Sequence, residues 1–143
     1  MPFLIDGDNL LGTWGRRRTD AEKRKLAFDL ERWARRQGRR VAVVFDGPEP
    51  GAPAFGPSVK FSGAGHTADD LILDMLRKQR DVRGWTVVTS DRALGDQCRF
   101  IGAGRERCDL FRRRLSSSPE LEKPERESDI DYWLDQFGED DGE

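Results

Sequence analysis

The chain is poor in the residues on which soft-metal and disulfide chemistry depend. Among 143 residues there are two cysteines, Cys98 and Cys108, and a single histidine, His66. That is too few for a zinc site of the usual four-ligand kind or for a disulfide framework, so two reduced thiols and no zinc are expected. No run approaches the roughly 18 consecutive apolar residues that a membrane-spanning helix needs, and no membrane partner is expected. Met1 and Pro2 lead into an apolar segment without the basic flank of a secretory signal, which points to a cytoplasmic setting. No internal repeat is present and nothing suggests a nucleotide cofactor. The oligomeric state stays open.

What is abundant is charge, and it is unevenly spread. Residues 117–143 hold 11 acidic and 2 basic side chains, so the first 116 hold 23 basic and 16 acidic ones, a balance of +7 against −9. The basic residues cluster at Arg16, Arg17, Arg18, at Lys23, Arg24, Lys25, at Arg35, Arg36, Arg39, Arg40 and at Arg112, Arg113, Arg114. Such a body is a candidate polyanion binder. Solvated helix faces explain the same clusters equally well.

Phe3-Leu4-Ile5, Val41-Ala42-Val43-Val44-Phe45 and Thr86-Val87-Val88-Thr89 are short apolar runs rich in β-branched residues, as in strands buried on both faces of a parallel sheet. Helical patterns alternate with them. Asp20 can cap a helix reaching about Gln37, with Leu26, Leu30 and Trp33 on one face and Gly38 as its stop, and Thr67 can cap a second, with Leu71, Ile72, Met75 and Leu76. A short helix is expected after Asp91, then a strand at Arg99-Phe100-Ile101, then a helix from about Arg107 to Leu115. The segment from Gly47 to Gly65, with Pro48, Pro50, Pro53 and Pro57, reads mostly as loop, with room for a short strand at Val59-Lys60-Phe61. The alternation predicts an α/β fold of βαβ units with a doubly wound, mostly parallel sheet. Residues 1–116 are expected to form the domain, 117–128 a polar linker and 138–143 a disordered acidic tail. Over 129–137, Ile130, Trp133, Leu134 and Phe137 recur at the spacing of an amphipathic C-terminal helix. Trp33, Trp85 and Trp133 are expected in the core, whereas Trp14, in a loop rich in Gly and Arg, is available for base stacking.

In an open parallel sheet, ligands bind outside the C-terminal strand ends. Aspartates gather there. Asp6 follows the first strand, Asp46 the second, and Asp91 the third at one remove, while Asp69 and Asp70 open the helix after Thr67. Singly, each has a structural explanation as a turn cap or a partner of the helix dipole. If the five converge, their repulsion demands a cation, and an oxygen-only set points to Mg²⁺ or Mn²⁺.

Phe-Leu-Ile-Asp-Gly-Asp-Asn-Leu-Leu-Gly (Phe3 to Gly12), Val-Val-Phe-Asp-Gly (Val43 to Gly47), Thr-Ala-Asp-Asp-Leu-Ile (Thr67 to Ile72) and Val-Val-Thr-Ser-Asp-Arg-Ala-Leu (Val87 to Leu94) resemble, in order and spacing, the NYN domains of the PIN-like nuclease superfamily, and most closely the bacterial YacP-like group. The resemblance covers roughly residues 1–115, and Tyr-Trp-Leu-Asp-Gln-Phe-Gly near the end is similar to the group's C-terminal helix. It implies a PIN-like sheet in the order 3-2-1-4-5 with helices on both faces, and a metal-dependent endoribonuclease that cuts single-stranded RNA, either mRNA or ribosome-associated RNA. It assigns Asp6, Asp69, Asp70 and Asp91 as catalytic metal ligands, with Asn9 a polar partner and Asp46 an acidic neighbour. Asp8 stands where the group often has an uncharged or aromatic residue. His66, beside the expected site, reads as a loop histidine with no role.

Around that set, Thr67 and Ser90 either orient phosphate or water or serve as structural caps. Arg92 either pairs with the substrate backbone or is a surface charge, and Lys60 with Arg16, Arg17 and Arg18 would grip phosphates over a longer track. A haloacid-dehalogenase-like phosphatase would also begin with Asp-x-Asp, but here Asn9 and Leu10 follow Asp8 and no downstream lysine completes that pattern. A DNA-directed 5'-nuclease would need room for extra helices. The stronger rival is a non-catalytic RNA-binding or ribosome-associated module of the same fold, whose sign would be a missing acidic ligand.

Overall fold

An apolar run such as Phe3-Leu4-Ile5 is stable in a strand when both its faces are covered, and β1 (Pro2–Asp6) has that position. In the computed structural model, which describes residues 2–51 and 55–116, β1 is the centre of a five-stranded sheet of order β3-β2-β1-β4-β5. Its neighbours are β2 (Arg40–Phe45) and β4 (Thr86–Val88), with β3 (Val59–Phe61) and β5 (Gly104–Glu106) at the edges. Every pairing is parallel, with Asp6 beside Val44 on one side and Ile5 beside Val88 on the other. The expected α/β class and the strand order 3-2-1-4-5 are therefore found.

Helices cover both faces. On one, Phe3 meets Trp33 of α2 (Asp20–Gln37) and Phe111 of α5 (Cys108–Ser116), the three ring centroids standing 5.2–5.5 Å apart. On the other, Leu4, Val44 and Val87 pack with Ile72, Leu73 and Leu76 of α3 (Ala68–Arg77) and Leu94 and Cys98 of α4 (Arg92–Ile101). Residues 3 and 4 of one strand thus feed two separate layers, as the period of two requires. Trp85 packs at the margin of the second layer, only partly buried.

Two local expectations change, and one helix has no counterpart among them. Thr19, and not Asp20, caps α2, its hydroxyl accepting the Glu22 amide, although the stop at Gly38 in the left-handed region is as anticipated. Arg99-Phe100-Ile101 is the last turn of α4, with Phe100 92% exposed, and the fifth strand comes after it at Gly104–Glu106. Three residues without β-branched alternation leave β5 little signature, and parallel pairing to β4 supplies it. Finally, Gly7–Thr13 forms a short helix, α1, where two glycines had disguised the pattern, and its Leu10 and Leu11 are fully buried.

The chain divides into two units, Met1–Arg112 and Arg113–Glu143, and the second is described only for residues 113–116, the end of α5. The expected linker (117–128), amphipathic helix with Trp133 (129–137) and acidic tail (138–143) lie outside the described residues. Among the described residues no helix is long and apolar enough to cross a membrane.

α1 starts directly at the end of β1 because Gly7 has no side chain. A Cβ there would stand 2.4 Å from Cε1 of Phe45, which is itself fully buried. Gly7→Ala is expected to destabilise the protein by about 1–3 kcal/mol through overpacking. Chemical denaturation would show this as a lower midpoint, and an unchanged midpoint would mean that the β1–α1 junction is looser than the packing implies.

Candidate active site

The sheet's C-terminal edge is where the winding reverses, since β2 lies on one side of β1 and β4 on the other. Asp6 is the last residue of β1 and only 6% exposed. Its Oδ2 accepts the Thr89 hydroxyl at 3.1 Å, and the carboxylate also accepts the Asn9 backbone amide. Burial pushes its pKa from 3.8 up to about 7, with the charges of Asp69 and Asp8 adding to the rise and the Thr89 and Asn9 bonds opposing it.

Asp69 lies in the first turn of α3 and its pKa is also raised, by burial first and then by Asp91, Asp46 and Asp70. The fold therefore brings Asp6, Asp69, Asp91 and Asp46 into one shared field. Asp70 is exposed beside Asp69, and its amide donates to Thr67 Oγ1. Asp91 caps α4, accepting the Leu94 amide at 3.1 Å through Oδ1.

A hydrogen-bond lattice holds these elements in register. Asp46 Oδ1 accepts the Ala68 amide at 2.6 Å, so the residue after β2 fixes the start of α3. Asp8, buried in α1, accepts the Asp46 amide at 2.7 Å through Oδ2 and has the Lys23 ammonium 3.8 Å from Oδ1. That answers the question the sequence left around Asp8. It is a paired brace between α1, α2 and the end of β2. Asn9 Oδ1 accepts the Ser90 amide at 2.7 Å and the Cys108 thiol at 3.2 Å, tying α1 to the β4–α4 turn and to α5.

The two hydroxyls with open roles both make structural bonds. Thr67 caps α3, and Ser90 Oγ accepts the Cys108 amide at 3.1 Å. His66 is exposed in the loop before Thr67, its carbonyl accepting the Ser62 hydroxyl. Arg92 is exposed next to Asp91, and Lys60 is exposed on edge strand β3. Arg17 and Arg18 are exposed, but Arg16 is spoken for, bonded to Glu22 at 2.8 Å with its guanidinium 4.7 Å from the Trp14 ring. Arg112 reaches the same ring at 5.8 Å, so Trp14 already has two cationic partners.

Sequence reasoning missed Thr89 as a site residue. It is fully buried, donates to Asp6 and accepts the Asp91 amide at 3.1 Å, linking the two acidic positions. The motif Val87 to Leu94 contains it, yet a threonine ending a strand looks like ordinary β propensity. Cys108, 99 residues from Asn9, left no local trace.

Among the described residues, no three His, Cys, Asp or Glu side chains are grouped so as to hold a metal ion. The edge is thus an acidic field and not a closed cage. Its chemistry nevertheless suits a hard divalent cation, because the converging groups are carboxylates that raise one another's pKa. The nearby thiols do not compete as soft ligands. Burial first, then Asp69 and Asp6, push Cys98 up to about 11, and burial likewise raises Cys108, so both stay protonated at neutral pH.

Comparison with known proteins gives a family and a structural likeness. The family model described as the YacP-like NYN domain matches residues 3–131. The crystal structure of a mutant form of Rae1 (YacP) from Bacillus subtilis superposes with a TM-score of 0.69 at 23% identity, covering 82% of this chain and 75% of that one. At that identity the likeness is one of fold. No curated protein matches the chain.

The Asp6 shift sets a pH dependence. A carboxyl whose folded pKa lies above its unfolded value favours the folded state most at low pH, and that contribution is lost as pH rises from about 3.8 to about 7. In metal-free buffer at neutral pH, Asp6→Asn is therefore expected to be more stable than wild type, by at most about 4 kcal/mol, with the gap closing towards pH 4. Denaturant titrations across that range would measure it, and a variant less stable at pH 7.5 would contradict the buried-carboxylate reading.

Proposed function

Because the chain belongs to the YacP-like NYN domain family, a PIN-like nuclease family, we propose that it is a metal-dependent endoribonuclease acting on single-stranded RNA, either mRNA or ribosome-associated RNA, in the cytoplasm. The observation that carries this reading is the shared field of Asp6, Asp69 and Asp91 at the point where the sheet's winding reverses. Asp6, Asp69, Asp70 and Asp91 would hold Mg²⁺ or Mn²⁺. When bound, such an ion supplies Lewis acidity towards the scissile phosphate and lowers the pKa of water.

The chain's own residues then have distinct tasks. Asp6 would serve as an anionic ligand, a cation at the edge offsetting its burial and its neighbours' charge. Thr89 holds Asp6 and the Asp91 turn in one arrangement, and Asn9 holds the Ser90 turn. Asp46 acts through the α3 N-terminus, keeping Asp69 and Asp70 at the edge. Arg92, Lys60, Arg17 and Arg18 are exposed cations suited to the phosphate backbone, and Arg16 would join them by leaving Glu22. No protein nucleophile is needed.

One observation favours a second reading. The carboxylates are not arranged as a ready cage among the described residues, as a non-catalytic RNA-binding or ribosome-associated module would allow. The two readings differ in their products. The proposed enzyme leaves a 5'-phosphate and a 3'-hydroxyl, since attack by water makes no use of the ribose 2'-hydroxyl. Asp91→Asn is expected to lower cleavage by roughly 100-fold or more while RNA binding in EDTA is retained, and His66→Ala to leave cleavage unchanged. End-group analysis of a cut RNA pool tests this: 2',3'-cyclic ends or cutting that survives EDTA would refute the mechanism, and no cutting with any divalent metal would leave the binding module.

A further inference from the structure

The end of the sheet opposite the acidic edge has its own charge pattern. β2 begins at Arg40 and is followed by Asp46, which at about 3.3 Å per residue puts the two ends of that strand roughly 20 Å apart. Around its beginning lies an open hollow of about 400 Å³. Arg35 from the last turn of α2, Arg39 from the turn beyond it and Arg40 from the first position of β2 all line this hollow. Among the described residues, none of the three makes an ion pair. Glu31, the carboxylate that lines the same hollow, is engaged by the Ser58 hydroxyl. Arg39 stands with its guanidinium 5.4 Å from the Phe3 ring centroid.

The helix dipole accounts for one of these arginines. A cation in the last turn of α2 complements the negative C-terminus, and Arg35 is so placed. Arg39 and Arg40 come after the cap at Gly38 and lie outside that explanation. Three guanidinium groups at one hollow repel one another unless an anion joins them, and their planar forks bind phosphate oxygens bidentately.

We propose that the hollow at Arg35, Arg39 and Arg40 is a second phosphate-binding site for the RNA backbone, distant from the acidic edge. The inference rests on the reading of RNA as the ligand and adds where a long strand is held. A trinucleotide occupying the acidic edge is too short to reach this hollow, whereas a long RNA engages both ends of the sheet. The site therefore favours long or structured RNA over short fragments.

The test is fluorescence anisotropy in EDTA, where no cleavage occurs, with a long single-stranded RNA and with a trinucleotide. Arg35 and Arg40 are exposed, so Arg35→Gln with Arg40→Gln keeps the fold, while Arg77→Gln with Arg80→Gln removes the same charge elsewhere on the surface. For the long RNA, the first variant should bind about tenfold more weakly and lower the slope of log K against log salt by about 1.4, as two lost phosphate contacts require. Trinucleotide binding should not change. Equal losses in both variants would make the effect general electrostatics and overturn the site, as would unchanged binding in the first. Loss of binding to anionic phospholipid vesicles with RNA binding intact would assign the hollow to a lipid surface instead. If the wild type binds no RNA, the functional reading falls with it, an outcome distinct from a wild type that binds and a variant that binds equally well.

Discussion

The arrangement depends on the cost of keeping a carboxylate dry. Asp6 ends the central strand of the sheet, where neighbours on both sides leave it 6% exposed. Burying a charge unpaired is expensive enough that the group takes a proton instead, and Asp6 is held near neutrality in its titration. Asp69 adds to the pressure from α3, and Asp69 is itself under pressure from Asp91 and Asp46. A fold that concentrates like charges at a topological switch point spends stability there, which natural proteins do mainly where a ligand returns it.

The lattice that supports this edge has few members and long reach. Asp8, Asp46 and Ala68 connect α1, β2 and α3 through two backbone amides. Thr89 and Asn9 connect β1, the β4–α4 turn and α5. In each case a side-chain oxygen takes a donor from a distant segment, a backbone amide in three bonds and the Thr89 hydroxyl or Cys108 thiol in the other two, so the elements bearing the aspartates cannot shift independently. Buried polar networks of this kind are costly when half satisfied, which ties the precision of the edge to the integrity of the whole sheet. The aromatic group of Phe3, Trp33 and Phe111 and the aliphatic layer around Leu4 and Ile72 supply the apolar burial against which that network is set.

Most of this was legible in the residues. The three apolar runs became β1, β2 and β4 because strands buried on both faces are apolar throughout, and because all three run parallel the aspartates at their ends share one edge. What stayed hidden was either short or long-range. β5 has three residues and no apolar pattern, while the amphipathic end of α4, with Phe100 turned outwards, imitated a strand. α1 was masked by Gly7 and Gly12, the first of which is required by the ring of Phe45. The pairing of Asp8 with Lys23 and the Asp46 amide, and the role of Thr89, come from contacts across 15, 38 and 83 positions of chain, beyond any local periodicity. The engagement of Trp14 by Arg16 and Arg112 was equally out of reach of sequence pattern.

The proposed role of the acidic edge is to hold a divalent cation. It is tested most directly by the melting temperature at neutral pH as Mg²⁺ or Mn²⁺ is added, for the wild type and for the double variant Asp6→Asn with Asp91→Asn. A cation that binds only the folded edge raises the wild-type transition with concentration, and the double variant, lacking two of the carboxylates, is expected to show no such rise. An equal rise in both proteins, or none in the wild type, would contradict the account.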